Sequence, residues 1–243
     1  SRASGLFTGN FTLTLTSATT GGRIFYVTAA PSPNGATAPE PTATATLYAG
    51  PVTISSSVVV RAEIFSTDGK SSSLPATAQY VQFAAQAAGF SSALPVMVLD
   101  SHGTGAQTKD SIYHPAWLYV FTPGATGVTT LTGTPALATP MGMTVRGNFS
   151  SNFPKKSYSL ELLDTLGYHN SQPLLGLDND RQWDLYGPWS TDRSYIRNVF
   201  VYALSNRIGR WAPRTQIVET FVNSDNDGLT AADYTGIAVL IDR

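Results

Sequence analysis

The sequence predicts a mainly β protein: an antiparallel β-sandwich over residues 1–84, a linker at 85–93, and a second α+β domain over 94–243. Three observations carry this reading. Short segments before residue 84 alternate apolar and hydroxyl side chains with the period of two that sends successive residues to opposite faces of a strand. Charge is unevenly divided, because through Gly89 only Arg2, Arg23, Glu40, Arg61, Glu63, Asp68 and Lys70 are charged, and all the rest follow Phe90. Helical spacing of apolar residues occurs in one stretch, Ser194 to Gly209.

In chain order, FTLTLT at 11–16, RIFYVT at 23–28, VVVRAEIF at 58–65 and SSSLPATAQYVQF at 71–83 supply the strands of the first unit. Between them stand turn formers: Gly21-Gly22, the stretch 31–41, Gly50-Pro51 and Asp68-Gly69. Threonine on the solvent face keeps such a sheet soluble without charge. AAQAAGFSSA, from Ala84 to Ala93, is small and flexible in composition and suits a linker. LPVMVL at 94–99 and WLYVFT at 117–122 read as buried strands, and Met141–Asp164 as two strands around a polar loop, RGNFSSNFPKK. The helix follows, with Asp192 or Ser194 expected to cap it, Ile196, Val199, Phe200, Ala203, Leu204 and Ile208 as its apolar stripe, and Gly209 to stop it.

Composition narrows the function classes. With 42% hydrophobic residues and 13% charged, the chain has a core and is not globally disordered. A net charge of -1 leaves no electrostatic footprint for nucleic acid or anionic lipid. No apolar run reaches the ~18 residues of a membrane helix, so membrane insertion is not expected. The absence of cysteine excludes disulfides and zinc thiolates. Richness in Thr, Ser, Ala and Gly points to an extracellular or cell-surface bacterial β protein, and a start at Ser1 reads as a mature or trimmed product.

Chemistry concentrates in two places. Arg146, Lys155 and Lys156, with Arg193 or Arg197 further on, gather cations near Gly147 and two serines, which suits an anion such as phosphate. The alternative is a polar hairpin tip with Lys155 solvated. Only one of two adjacent lysines on a strand can point at a ligand. Lys156 is favoured by its parity with Tyr158 and Leu160, and the choice flips to Lys155 if that face is core. The second place is NSDNDGLTAADY, where Asn223, Asp225, Asp227 and Gly228 fit the first half of a calcium loop. Asp233 stands at the eleventh position where the twelfth would close the loop, so a solvated acidic hairpin is the competing reading. His102, His114 and His169 are scattered, and Asp178, Asp180 and Asp184 around Trp183 suggest paired carboxylates of the kind glycoside hydrolysis uses, a reading that a family resemblance replaces with a structural loop before the helix. Asn10 and Asn148 fit glycosylation tripeptides, which a Thr-rich chain produces by chance.

The segments IFYVTAAPSP, LYAGPVTI, VVVRAEIF and AQYV resemble the chitobiase/β-hexosaminidase C-terminal type of Ig-like domain. Ala29, Ala30 and Pro31 replace that family's Asp-Gly-Ser turn. The resemblance implies a spacer first and carbohydrate contact second.

RGNFSSNFPKKSYSLEL, then LLGLDNDRQWDLYGPWSTDRSYIRNVFVYALSNRIGRWAPRTQIVETFVN and YTGIAVLID, resemble the CotH kinase family from about Met141 to Asp242. That resemblance implies an incomplete protein-kinase-like N-lobe, a β-sheet plus one main helix, binding ATP with Mg²⁺. It implies that Lys155 or Lys156 clamps phosphates, with Arg146 a second phosphate contact and Glu219 the acidic partner that the helix lacks. Its catalytic and metal-binding acids lie in a helical lobe beyond the strand at Tyr234–Asp242, so the chain is expected to be truncated at the hinge with no catalytic residue of its own. The expected function is therefore the nucleotide-binding portion of a secreted atypical protein kinase acting on a protein substrate or cell-surface partner. The alternative is a self-assembling building block of an extracellular layer, filament or adhesin, stabilised by calcium.

Overall fold

The computed structural model describes residues 2–30, 39–101, 109, 110, 112–190, 192–225 and 228–243. Before residue 84 the described residues form β1 (Gly5–Phe7), β2 (Phe11–Leu13), β3 (Arg23–Ala29), β4 (Thr46–Leu47), β5 (Val52–Ile54), β6 (Val58–Phe65) and β7 (Ala76–Gln82). They make a five-stranded sheet, β1-β7-β6-β3-β4, and a two-stranded sheet, β2-β5. Alternation explains why two sheets form. Val60 and Tyr80 of the large sheet meet Leu13 and Ile54 of the small one in a shared core, while the intervening residues turn to the opposite face.

The stretch expected to be a linker carries α1 (Ala85–Ala88), which buries Ala87, and β8 (Ser91–Ser92). There follow β9 (Val96–Asp100), β10 (His114–Phe121), β11 (Thr129–Thr130), β12 (Leu137–Arg146), β13 (Ser157–Leu162), β14 (Gln172–Pro173), β15 (Asn179–Asp180), β16 (Gln182–Tyr186), α2 (Arg197–Arg207), β17 (Thr215–Asn223) and β18 (Tyr234–Ile241). Seven of these close into a barrel in the order β10-β12-β13-β16-β18-β17-β9.

This closed barrel overturns the expected second domain, a kinase-like N-lobe of an open sheet plus one main helix. Closure comes from parallel pairing of β9 with β17, Val96 against Glu219 through Asp100 against Asn223. The helix does not complete the core, for none of its residues is buried. Met97, Leu99, Leu118, Met143, Leu160 and Trp183 fill the barrel instead. Val96, Val98, Trp117, Tyr119, Phe121 and Phe221 face outward and pack against Leu6, Val81 and Phe83 of the first unit. All five residues of β9 are buried, as expected of an apolar run covered on both faces.

The seam between the sheets also carries hydrogen bonds. The Ala84 amide donates to the Leu229 carbonyl at 2.8 Å and the Leu229 amide to Gln82 at 3.1 Å. The Gln79 side-chain amide donates to Asp100 Oδ2 at 3.2 Å, both residues being buried.

Helix α2 is shorter than expected and turned around. Ser194 Oγ donates to Asp192 Oδ1 at 2.8 Å, and neither caps the helix, whose first turn has no side-chain cap. Val199, Tyr202 and Ser205 are half-buried on the side next to β17, whereas Ile196, Phe200, Ala203, Leu204 and Ile208 of the expected core stripe are exposed. No helix among the described residues is long and apolar enough to cross a membrane.

Candidate functional site

Strand parity separates the two lysines. Leu160 and Leu162 belong to the barrel core and Tyr158 packs against it, so the face that shares parity with Lys156 is interior. Lys156 Nζ instead donates to the Ser151 carbonyl at 2.8 Å. It thereby ties down the 3-10 turn Phe149–Asn152 within the RGNFSSNFPKK loop.

Lys155 reaches the rim of the barrel. Its Nζ donates to the Ile237 carbonyl and lies 5.4 Å from the centre of the Tyr195 ring. Burial pushes its pKa below the ordinary lysine value, and the Glu219 carboxylate works in the opposite direction. Tyr195 holds a left-handed backbone, φ 60°, which costs energy for a residue with a bulky side chain.

Two glycines make room for this arrangement. A Cβ at Gly187 would sit 2.2 Å from the Lys156 carbonyl oxygen and 3.2 Å from Lys155 Cγ. At Gly236, φ is +83° and a Cβ would lie 3.5 Å from Lys155 Nζ. Here the barrel mouth holds a cavity of about 50 Å³, lined by Lys155, Lys156, Tyr158, Gly187, Thr220 and Thr235, among others.

Glu219 is half-buried and held from two sides. Ser92 Oγ donates to Oε1 at 3.3 Å and the Tyr234 hydroxyl donates to Oε2. Burial, with the nearby carboxylate adding to it, pushes the Tyr234 pKa up to about 12. Beside it Thr220 Oγ1 lies 2.8 Å from Thr235 Oγ1 and donates to the Gly236 carbonyl at 2.7 Å. The structure thus brings Lys155 and Glu219 to one rim, together with Tyr234, Thr220, Thr235 and Gly187, which the sequence reading did not single out. Gly187 lies in a quoted motif. The hydroxyls become visible only once the β17–β18 register, Glu219 against Ile237 and Thr220 against Gly236, is known.

Arg146 is engaged elsewhere. It pairs with Asp184, whose Oδ1 also lies 2.8 Å from Arg243 and accepts from Ser159 Oγ at 3.0 Å. Asp184 is 7% exposed, and its carboxylate is shared by two guanidiniums. The other acids in the DNDRQWD stretch have separate tasks: Asp178 pairs with Arg214 at 2.5 Å, and Asp180 accepts from the amides of Arg181 and Gln182.

The acidic loop is only partly described, since Asp227 lies outside the described residues. Asn223 Oδ1 accepts from the Asp225 amide at 3.3 Å. Asp233 Oδ2 accepts from the Thr230 amide at 2.7 Å and the Thr230 hydroxyl at 3.0 Å, closing a capping box on the turn Ala231–Asp233. Burial raises the Asp233 pKa and Asp225 adds to the rise, while the Thr230 hydrogen bonds oppose it. Among the described residues no three acids or histidines group as metal ligands. His114 pairs with Asp110 at 2.8 Å and His169 with Glu161 at 3.2 Å, and His102 lies outside the described residues.

Residues 143–242 match a protein-family model described as CotH kinase protein. The match contains Lys155, Glu219 and the whole rim between them. No curated protein matches the chain.

Proposed function

We propose that this chain supplies the phosphate-binding part of a secreted or cell-surface CotH-type protein kinase, which uses ATP to phosphorylate a protein substrate. The observation that carries the proposal is the placement of Lys155 at the barrel mouth, its Nζ bonded to the carbonyl of Ile237, the residue that pairs with Glu219 across β17 and β18, inside the stretch that matches the family model. A lysine ammonium is a compact point charge on a flexible stem, suited to an anionic oxygen. Lys155 would exchange its bond to the Ile237 carbonyl for a phosphate oxygen, and Gly236 leaves the approach open. Glu219 favours the charged form of the lysine against its burial. The hydroxyls of Thr220 and Thr235, which donate to the Gly236 and Thr220 carbonyls, line the same cavity.

A cavity of about 50 Å³ fits a phosphoryl group and is well below the ~300 Å³ of a small-molecule pocket, so adenine and ribose would lie outside the mouth. ATP would bring the transferable phosphoryl group, and this chain's residues would bind and orient it. The low charge and the richness in Thr and Ser support the extracellular placement, which cell fractionation of the native host would check.

Titration of the chain with a fluorescent ATP analogue tests the site. Lys155→Met is expected to weaken binding by about tenfold or more, the scale of a lost charge-assisted contact, and Lys156→Met to leave it unchanged. Binding by the unaltered protein should fade on the alkaline side earlier than an ordinary lysine dictates, because the Lys155 pKa is lowered. Equal losses from the two variants, or no nucleotide binding at all, would sink the proposal.

A further inference from the structure

The outer side of α2 is apolar, basic and bare. Ile196, Phe200, Leu204 and Ile208 recur every four residues, the spacing of a single ridge along a helix. All four are exposed, Phe200 at 63%, and Val201 and Trp211 extend the patch, Trp211 at 80%. Arginine shares this face: Arg197 lies three residues before Phe200 and Arg207 three after Leu204, so both flank the ridge. Arg193 and Arg210 stand just beyond its ends. Between Arg193 and Val218 the sequence has five arginines and no acid. Arg197 lies 3.8 Å from Asp192, whereas Arg193, Arg207 and Arg210 have no ion pair among the described residues.

We propose that this face is one half of a helix–helix interface, the other half being an amphipathic helix of a partner protein that is apolar along one ridge and flanked by carboxylates. The i+4 ridge is the element that interdigitates with the grooves of another helix in the commonest packing class. The chemistry selects the occupant. A helix that lies in a bilayer surface keeps its basic residues on the face opposite the apolar one, but here Arg197 and Arg207 share the apolar face. Phe, Trp and Arg together, without Lys, Asp or Glu, match the composition of a protein-interface centre. Symmetric contact with a second copy would set arginine against arginine.

The test uses a synthetic helical peptide with leucines every four residues and glutamates beside them, labelled for fluorescence anisotropy, and a twin with lysine in place of glutamate. The glutamate peptide is expected to bind the chain, more weakly as salt is added, and the lysine twin not to bind. Phe200→Ala with Leu204→Ala should weaken binding by about tenfold or more, as truncation of interface anchors does. Arg197→Gln with Arg207→Gln should weaken it and flatten its salt dependence. Because Phe200 and Leu204 are exposed, their double variant is expected to keep the melting temperature of the parent, and a clear drop in it would overturn the proposal by showing that the face is already covered. Equal binding of the two peptides or binding of neither would overturn it too. So would preferential capture by phosphatidylglycerol vesicles, or self-association of the chain that Phe200→Glu abolishes.

Discussion

The barrel's outer wall has two apolar sectors with opposite fates. On one side Trp117, Tyr119, Phe121 and Phe221 are covered by Leu6, Val81 and Phe83 of the sandwich, and the seam is stitched by backbone hydrogen bonds and a Gln79–Asp100 contact. On the other, Ile196, Phe200, Leu204 and Ile208 of α2 are exposed. Both sectors follow from apolar side chains at regular spacing. The difference is that the first is enclosed by topology within the chain and the second is not, so equal hydrophobicity carries very different weight in stability.

The sharpest way to break this comparison is to truncate one aromatic ring from each sector. Phe221 is 1% exposed and packs edge-on against Phe90. Phe221→Ala is expected to cost roughly 3–5 kcal/mol, transfer plus cavity. Phe200→Ala should stay within about 0.5 kcal/mol, as exposed substitutions do. Urea denaturation of both variants reads the contrast directly, and similar losses would erase it.

The contrast also marks where sequence reasoning stops. Period-two strands in the first 84 residues and a helix near residue 200 are local properties and were legible. Closure of the barrel was not, because β9 and β17 pair across more than a hundred residues, and a buried strand reads alike whether its sheet is open or closed. The face of α2 was misassigned for a related reason: helical spacing shows that an apolar stripe exists, but not which side the chain supplies with a neighbour. At the site, parity states the choice between the lysines, and the burial of Leu160 and Leu162 shows that the face sharing parity with Lys156 is core. Arg146 looked like a phosphate contact because its partner Asp184 lies 38 positions away, and only the β12–β13–β16 register brings them together.

A third sector of the wall, held by charge, gives the next largest effect. Asp184→Ala leaves Arg146 and Arg243 without their shared carboxylate. The expected cost is about 2–3 kcal/mol, less than the ~3–5 of a fully buried pair, because the guanidinium side chains are 39% and 37% exposed. Urea denaturation measures the loss. The same variant sharpens the site assignment, since Arg146, once freed, would tighten nucleotide binding if it lies within reach of the phosphates. Unchanged affinity with lowered stability would keep Arg146 on the structural side.

A smaller loss than either of these lies where the covered sector ends, at the capping box next to Leu229. Thr230→Ala removes the hydroxyl that donates to Asp233 Oδ2 and accepts from the Ala232 amide, at a cost of about 1 kcal/mol. Its pH dependence is more telling than its size. Burial raises the Asp233 pKa in the folded protein above its ordinary value of 3.8, so the folded state holds this proton more tightly than the unfolded chain does. Stability contributed by the group is therefore greatest below 3.8 and falls as pH rises through the folded value. The Thr230 hydroxyl opposes that rise by bonding to the charged form. Without it the folded pKa moves further up, and the decline in stability with pH should become deeper and extend to higher pH. Urea midpoints of parent and variant across the acidic range would show profiles that diverge as pH increases. Parallel profiles would mean that Asp233 stays ionised in the fold whether or not Thr230 supports it.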